Sequence, residues 1–556
     1  MDRVSSTPLH PSNDTDGPLL PQAITPRQVI TRAIAAEGRG PKLAAASVGF
    51  TGHQVAEALV PVVIGAVIDR AVATSDAAAL GKWILVLCIL FTGLLLSWRI
   101  AARIADSVAE YGAHRLRMDI ARRGLDPHGM NPRRMPGEVY SIATSDAGSV
   151  AGFTHTLSTK LGAACGVLTA AISLLVISVP LGLLVILSTP PVLALMQVVS
   201  RPLERRAETD QWQGARAGAL AADLLAGLRI LSGIGAGDAA AQRYRGASRT
   251  SLDATLRAQR YQAMYSAANV AIAGAYLAVI AYVGGRMAAS GSISIGEFIA
   301  VVGLAQFLRG PLIDIIYFGA GLARARASAN RVAALIGTSR AVDPASDPVA
   351  LNHSESLTLR DVVLAGSAPV DLDVKRGEIV GITCDDTAWV DAFMDVLARR
   401  TDPIEGSIHL GDNAIHELDI DELRTHILAA PHDSALFIGT VGENIHALAP
   451  VGHRTDFAIS AAAADQVIEA LPNGLATAVT EQGNSLSGGQ RQRVALARAL
   501  ASDVPVLVLH DPTTAVDSVT EARIARGISE VRSAHATILL TSSPALLDIC
   551  DRVIEL

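Results

Sequence analysis

Long apolar stretches alternate with charged stretches over the first 320 residues, and mixed-charge sequence follows. Six stretches stand out, and the first and fifth of them are diluted by Gly, Ala and a few polar residues. In chain order they are residues 43–68, 83–97, 161–179, 181–200, 263–285 and 298–311. A helix needs roughly 20 apolar residues to cross the hydrocarbon core of a bilayer. The pattern therefore predicts six membrane-spanning helices.

Positive charge gathers in two of the connections between these helices. Eight arginines lie between the second and third stretches, and ten lie between the fourth and fifth. The other connections are short and carry few positive charges. Because cytoplasmic loops of membrane proteins are enriched in Lys and Arg, we expect both long loops and both chain termini to be cytoplasmic. The chain is thus predicted to be a multi-pass protein of the plasma membrane.

Four segments follow from the change in pattern along the chain. Residues 1–25 are polar and rich in Pro, Ser and Asp, which predicts a disordered cytoplasmic tail. Residues 26–336 hold the six predicted helices, and residues 337–356 form a linker without periodicity. Residues 357–556 alternate short Val/Ile/Leu runs with helical stretches, as in an α/β domain. The four cysteines have no metal or redox spacing, and the net charge of −7 gives no reason to expect a nucleic-acid partner.

Several motifs of the last 200 residues stand at characteristic spacing. The run LSGGQ occupies residues 486–490, with DPIEG at 402–406, GTVGENI at 439–445 and DPTTAVD at 511–517. These motifs resemble those of the ATP-binding-cassette (ABC) family, and six spans fused to one such domain resemble its exporter-type half-transporters. The resemblance implies an α-helical six-span transmembrane domain and an α/β P-loop-like nucleotide-binding domain. It also implies a dimer in which ATP and Mg²⁺ lie between two such domains.

The segment that resembles the family's phosphate-binding loop lacks the residues that the loop requires. It reads CDDTAWVD over residues 384–391. By the resemblance, the lysine position falls on Val390, and glycine positions fall on Cys384, Thr387 and Trp389. Valine cannot neutralise a phosphate, and the branched and indole side chains would block the close backbone approach that glycine permits. We therefore expect this chain's own loop not to bind ATP phosphates.

Four further positions of the same half-site depart from the family pattern. The resemblance places His432 where a glutamine is usual, His510 at the magnesium aspartate, Asp511 at the catalytic glutamate and Ser542 at the switch histidine. The two histidines have no spacing typical of a metal site. This chain is therefore expected to hold no metal and to have no intact catalytic residue of its own, although it belongs to an ATP-hydrolysing assembly.

The elements that the family presents to a partner subunit are complete. Ser487, Gly488, Gly489 and Gln490 are in order, and Asp517 stands at the aspartate of the family's inter-domain loop. The resemblance implies that these residues contact ATP held by another subunit. The chain thus lacks the residues of its own nucleotide half-site but keeps those that contact a partner's ATP. This difference predicts a heterodimer, whose second half-transporter carries the complete phosphate loop, magnesium aspartate and switch histidine.

Ionisable residues within two predicted spans are candidates for a substrate cavity. His53 and Glu57 are four residues apart and share a helix face, and Asp314 follows Pro311 in the sixth span. Ionisable groups at membrane depth usually face a cavity or a partner. They predict a polar lining for a cationic or zwitterionic solute, or else hydrogen bonds between helices.

The sequence thus predicts one subunit of an ATP-driven transporter for a small molecule, peptide or lipophilic compound, with export favoured. An importer on the same fold, for example of siderophores, and a membrane pseudo-ATPase scaffold remain open. A homodimer is disfavoured because it would contain two inactive sites. Neither the substrate nor the direction of transport follows from the sequence.

Overall fold

The computed structural model describes residues 24–351, 356–364, 366–432, 435–449 and 455–556. Residues 1–23 of the predicted tail and 352–355 of the predicted linker lie outside the described residues. The chain divides into two compact units. Of the described residues, those up to 120 and residues 140–336 form the first unit, and residues 121–139 and those from 337 onward form the second.

The first unit is helical. Its helices are α1 (Pro26–Ile34), α2 (Arg39–Val67), α3 (Ala77–Gly124), α4 (Pro136–Ser141), α5 (Ala147–Ala151), α6 (Phe153–Ile177), α7 (Val179–Ala226), α8 (Leu228–Gly233), α9 (Gly237–Ala289) and α10 (Ile295–Ile336). Short π-helical segments at Ile68–Val72 and Ile142–Asp146 continue α2 and α4.

Five helical segments of the described residues are long and apolar enough to cross a membrane. They are Ala77–Gly124, Pro136–Ile177, Val179–Met196, Gly237–Ala289 and Ile295–Ile336. The first predicted span, residues 43–68, forms most of α2, which is not among these five. Its His, Gln, Glu, Ser and Thr residues make α2 less apolar than the other spans. The described helices thus account for five of the six predicted spans by length and composition.

Small residues let the helices of this unit approach closely. A methyl group on Gly162 of α6 would lie 2.9 Å from the carbonyl oxygen of Phe50 in α2. A methyl group on Gly303 of α10 would lie 2.7 Å from Pro61. Close backbone approach at small residues is how helices pack where lipid provides no hydrophobic driving force between them. α2 is accordingly held between α6 and α10.

The second unit is an α/β domain with two larger sheets. Its strands are β1 (Leu357–Val363), β2 (Val370–Val374), β3 (Ile379–Thr383), β4 (Glu405–Leu410), β5 (Asn413–Ala414), β6 (Ile427–Ala430), β7 (Gly439–Thr440), β8 (Ala478–Val479), β9 (Val506–His510), β10 (Ala536–Leu540) and β11 (Arg552–Glu555). An antiparallel sheet has the order β2-β1-β4-β5, and a parallel sheet has the order β11-β3-β10-β9-β6. The central strand β10 is buried along its whole length, as expected for a parallel sheet covered on both faces.

Helices follow the strands of this unit in α/β order. They are α11 (Thr387–Leu397), α12 (Ile420–His426), α13 (Val441–His446), α14 (Asp456–Ala461), α15 (Ala464–Ala470), α16 (Gly488–Ala501), α17 (Ser518–Val531) and α18 (Pro544–Leu547). Because β3, β9 and β10 are parallel, the residues that follow them meet at one edge of the sheet. That edge carries the positions that the sequence analysis assigned to nucleotide chemistry.

Residues 121–139, which include the end of α3 and the start of α4, belong to the second unit, although the linear pattern placed them in the predicted transmembrane domain of residues 26–336. Arg123 donates to the carbonyl oxygen of Thr338 at 2.8 Å, and Ala341 donates its N–H to His128 at 3.0 Å. Arg424 of α12 donates to the carbonyl oxygen of Pro127 at 2.8 Å. This assignment depends on hydrogen bonds between residues more than 200 positions apart, which the linear pattern could not reveal.

Candidate functional site

Within the segment that resembles a phosphate-binding loop, the connection between strand and helix is only three residues long. Strand β3 ends at Thr383, and α11 begins at Thr387. Asp386 is the N-cap of that helix, and its carboxylate accepts the N–H of Ala388 at 2.9 Å. The N-terminus of a helix attracts anions through its free N–H groups and its dipole. In this chain a carboxylate of the chain itself occupies that position.

The side chains of α11 that align with lysine and glycine belong to the domain core. Trp389 is 3% exposed and Val390 is 6% exposed. The rings of Trp389 and Phe393 stack with their centroids 5.0 Å apart. Residue 390 therefore points into the core. A lysine at this position would lose its hydration on burial, and it would not reach a phosphate. The exposed residues of this segment are Asp385, Asp386, Thr387, Ala388 and Asp391. Its three carboxylates would repel phosphate.

His432, His510 and Asp511 lie together at the edge of the sheet. The two imidazole rings have centroids 5.8 Å apart. Nδ1 of His432 lies 3.3 Å from the carbonyl oxygen of Asp511, and Nε2 of His510 lies 3.9 Å from its carboxylate. A cavity of about 30 Å³ is lined here by both histidines and Gln492. The structure thus brings together His432, His510 and Asp511 of the predicted half-site, whereas Val390 lies in the core.

Burial lowers the pKa of His510 below its ordinary value of 6.5, and His432 lowers it further, while the carboxylates of Asp511 and Asp391 oppose both effects. The imidazole is therefore neutral at neutral pH. Mg²⁺ prefers hard oxygen ligands, so a neutral imidazole is a poor substitute for an aspartate. Among the described residues, no group of three or more His, Cys, Asp or Glu side chains is arranged to hold a metal ion.

Ser542 lies exposed in the loop after β10. The neighbouring Ser543 donates its hydroxyl to Glu521 at 2.7 Å, and Thr513 donates to the same carboxylate oxygen at 2.8 Å. Glu521 in the first turn of α17 thereby connects the loop after β10 to the loop after β9. Glu521 was not predicted from the sequence, because Thr513 and Ser543 are 8 and 22 positions away and meet it only in the folded chain.

The signature run begins a helix whose N-terminus is open to solvent. Ser487 is the N-cap of α16, and Gln490 completes a capping box with it. The N–H of Gln490 reaches the Ser487 hydroxyl at 3.4 Å, and the N–H of Ser487 donates to the Gln490 amide oxygen at 2.9 Å. Ser487 and Gly488 are both exposed. A 14-residue helix that presents a hydroxyl and free amides in this way is suited to an anion.

The two glycines of the signature have different surroundings. A methyl group on Gly489 would lie 2.5 Å from the carbonyl oxygen of Ala515, whereas one on Gly488 would meet only the Ala515 Cβ at 3.9 Å. Packing inside this chain therefore requires glycine at 489 but not at 488. Gln492, which the sequence analysis missed, fixes the same loop by accepting the Ala515 N–H at 2.9 Å and donating to the Asp511 carbonyl at 3.0 Å.

Asp517 is engaged within its own chain. It is the N-cap of α17 and accepts the N–H groups of Val519 and Thr520 at 3.1 and 3.0 Å. Its second carboxylate oxygen accepts the Thr520 hydroxyl at 2.8 Å. These hydrogen bonds, those from Thr520 first, lower the pKa of Asp517. The carboxylate is exposed and ionised, and its role in starting α17 is evident from this chain alone.

The candidate cavity residues of the helical unit form two separate pairs. Nδ1 of His53 lies 2.9 Å from the carbonyl oxygen of Leu94, and its Nε2 lies 3.8 Å from the Glu57 carboxylate. Asp314 receives a 2.5 Å hydrogen bond from the Lys160 ammonium in α6. The structure thus pairs His53 with Glu57 but pairs Asp314 with a cation that the sequence analysis overlooked. The His53–Glu57 contact lies within α2, whereas the His53–Leu94 and Lys160–Asp314 hydrogen bonds join different helices.

Comparison with known families matches both units. Residues 43–312 match the family described as ABC transporter transmembrane region, and residues 368–514 match the family described as ABC transporter. The chain is 29% identical over 504 residues to the multidrug efflux ATP-binding/permease protein Rv0194 of Mycobacterium tuberculosis. That match covers 89% of this chain and 42% of the relative, so the chain spans less than half of the relative's length.

More distant relatives have other named cargoes, and a solved structure shares the fold. An ATP-dependent lipid A-core flippase of Dechloromonas aromatica is 27% identical over 389 residues, which covers 67% of this chain and 66% of the flippase. A bacterial Atm1-family ABC exporter with ATP bound superposes with a TM-score of 0.72 at 22% identity. The superposition covers 93% of each chain. The likeness to that exporter extends over both units of the fold.

Proposed function

Because the chain belongs to the ABC transporter family, with a fused transmembrane region and nucleotide-binding domain of the exporter type, we propose that it is the degenerate subunit of a heterodimeric exporter. The partner is a second half-transporter that holds ATP and Mg²⁺ on a complete phosphate loop. This chain supplies Ser487, Gly488, Gly489 and Gln490 to that nucleotide. The assembly lies in the plasma membrane with both termini of this chain in the cytoplasm.

The contrast between two helix N-termini carries the proposal. α11 begins under the carboxylate of Asp386 and directs Trp389 and Val390 into the core. α16 begins with an exposed serine hydroxyl and an exposed glycine. A phosphate is repelled by the first arrangement and attracted by the second. This chain is therefore expected to contribute to one nucleotide site from the signature side only.

The relatives support a transport role, but their names give several different classes of cargo. They are named for multidrug efflux and for flipping of lipid A-core, and a third, from Rhizobium etli and 30% identical over 303 residues, is named for β-(1→2)glucan export. More than half of the mycobacterial relative lies outside its match with this chain, which leaves room there for a second half-transporter. We propose export of a small, lipophilic or amphiphilic molecule.

The proposed role of Ser487 is to contact the ATP that the partner subunit holds. Its hydroxyl and the amides of the first turn of α16 would meet the γ-phosphate, on which negative charge develops during hydrolysis. A hydrogen bond to a charged group contributes about 1.5–3 kcal/mol. Removing the hydroxyl is therefore expected to lower ATP hydrolysis by the complex about 10- to 100-fold.

The test begins with affinity purification of the tagged chain from its native membranes. A second half-transporter with an intact lysine loop, recovered in equal amount, is the expected result. The ATPase rate of that complex is then compared for wild type, Ser487→Ala and Ser487→Thr. We expect the alanine variant to lose activity and the threonine variant to retain most of it, because threonine keeps both the hydroxyl and the N-cap. A scaffold that transports nothing would be indifferent to both changes, and recovery as a homodimer would refute the proposal.

A further inference from the structure

Two adjoining cavities lie between α7, α9 and α10 of the helical unit. The larger has a volume of about 80 Å³ and the smaller about 30 Å³. Both are lined by Leu193 and Met196 of α7 and by Arg309 of α10. None of the cavity residues proposed from the sequence lines them. They therefore form a separate candidate site.

Arg309 lies at membrane depth. It is 14 residues beyond Ile295, the first residue of α10, so it lies roughly 21 Å along the helix at 1.5 Å per residue. The hydrocarbon core of a bilayer is about 30 Å thick. A guanidinium at such a depth is costly unless it faces water, a counter-ion or a ligand. Arg309 is exposed and lines both cavities, so an anion could reach it.

Arg309 has no counter-ion in the part of the chain that the structure describes. Among the described residues, neither cavity lining contains an Asp, Glu, His or Lys side chain. The nearest carboxylate along α10 is Asp314, which the Lys160 ammonium neutralises at 2.5 Å. The cavities therefore carry one uncompensated positive charge.

Polar and aromatic groups surround that charge. Tyr265 and Asn269 of α9 and Tyr317 of α10 line the larger cavity. In the smaller cavity the hydroxyls of Thr189 and Tyr276 are 2.6 Å apart, and Thr189 donates to the Val185 carbonyl oxygen at 2.6 Å. The donors available to an anion are therefore those of the larger cavity. Hydroxyl and amide groups donate hydrogen bonds to an anion, while the remaining lining of both cavities is mostly apolar. The site thus combines a cation and donors with an apolar wall.

We propose that these cavities bind the acidic group of an anionic amphiphile, with its apolar part along Leu193, Met196 and Ile316. A carboxylate, sulfonate or phosphate fits about 80 Å³, whereas a whole drug-sized molecule needs a pocket of about 300 Å³ or more. The proposal rests on the transport function proposed above and defines its cargo class. It differs from the cationic or zwitterionic solute that the sequence suggested.

The test uses two probes that differ in charge and by one methyl group, dansyl-labelled undecanoic acid and its methyl ester. The full-length wild-type chain, with its co-purified partner, is placed in phosphatidylcholine nanodiscs, and binding is followed by dansyl fluorescence against empty nanodiscs. We expect the acid to bind at least about tenfold more tightly than the ester, as one charged contact implies. Arg309→Gln should abolish this preference, and Arg309→Lys should retain part of it.

Arg324 provides the matched control, because it is an exposed arginine on the same helix outside both cavity linings. Arg324→Gln should leave the preference for the acid unchanged. Dansyl-glycine distinguishes a soluble anion from a lipid, since it carries the acid without the long chain. Binding of both acids supports a soluble anionic cargo, and binding of the long acid alone supports a lipid-like one. Equal affinity of wild type for the acid and the ester would overturn the inference, yet leave the Ser487-dependent ATPase as a separate result.

Discussion

Helices α11 and α16 belong to the same domain, and they differ in the charge of the N-cap and in the burial of the side chains in the first turn. α11 has a carboxylate cap, and Trp389 and Val390 in its first turn are buried, whereas α16 has a hydroxyl cap followed by an exposed glycine. Both are well-formed helix starts. The comparison teaches that a helix dipole alone does not make an anion site, because the cap and the first side chains decide whether phosphate can approach.

The largest effect is expected when the start of α16 is made to resemble that of α11. Ser487→Asp keeps a good N-cap but places a carboxylate where the partner's γ-phosphate is proposed to lie. We expect the ATPase rate of the complex to fall by about 100-fold or more, since the hydrogen bond is lost and a repulsion is added. The rate and the thermal midpoint are measured together. A variant with normal activity would refute the role of Ser487, and a large fall in the midpoint would point to a folding defect instead.

The two signature glycines separate packing from nucleotide chemistry. Gly489→Ala forces a methyl group to 2.5 Å from the Ala515 carbonyl oxygen, and such overpacking costs typically about 1–3 kcal/mol. We expect a lower thermal midpoint for this variant. Gly488→Ala has room within the chain, so its midpoint should be unchanged while ATPase activity of the complex falls. Equal midpoints for both variants would contradict the packing difference.

A smaller effect is expected when the carboxylate cap of α11 is removed. Asp386→Ala should destabilise the domain by about 1 kcal/mol through loss of the N-cap, and Asp386→Asn should restore most of it. Neither variant is expected to gain labelling by azido-ATP on this chain, because Val390 remains buried. Photolabelling of the purified complex, resolved by subunit, provides the measurement. Labelling that appears in Asp386→Asn alone would indicate that charge, and not the buried helix start, excludes the nucleotide.

The smallest effect is a dependence of stability on pH at His510. Because burial lowers its pKa in the folded chain below the ordinary 6.5, the unfolded chain binds more protons there. Its contribution to stability is therefore complete above about pH 6.5 and is lost as the pH falls through the folded pKa. We expect His510→Asn to flatten the fall of the thermal midpoint between about pH 7 and 5. His535→Asn, at another histidine of the same domain, serves as the control. A fall that is as steep as in wild type would exclude burial of His510 as its cause.

The sequence predicted the fold more completely than it predicted the candidate nucleotide site. Apolar runs of sufficient length predicted the spans, and the motifs at residues 402–406, 486–490 and 511–517 predicted the domain that carries them. The five helices that are long and apolar enough, together with the two family matches, confirm the fold class. The heterodimer and its single working site remain a proposal.

The sequence missed residues whose partners are distant along the chain. Gln492 fixes the loop at Ala515, Glu521 connects Thr513 to Ser543, and Lys160 neutralises Asp314 across 154 positions. A single sequence shows that such residues are polar, but it does not show which groups they meet. The sequence shows Arg309 as a charged residue within an apolar run. It does not show the cavity that Arg309 lines.

The sequence by itself determined which chemical groups are available. It provides an intact signature, a loop without glycine or lysine, and apolar runs suited to a membrane, all of which are properties of neighbouring residues. Only the tertiary structure decided where those groups point. The fold buries Trp389 and Val390 in the domain core and makes Asp386 the N-cap of α11. It also leaves Arg309 without a counter-ion in the described cavity lining. The physical reason is that burial and pairing depend on elements that folding brings together from distant parts of the chain.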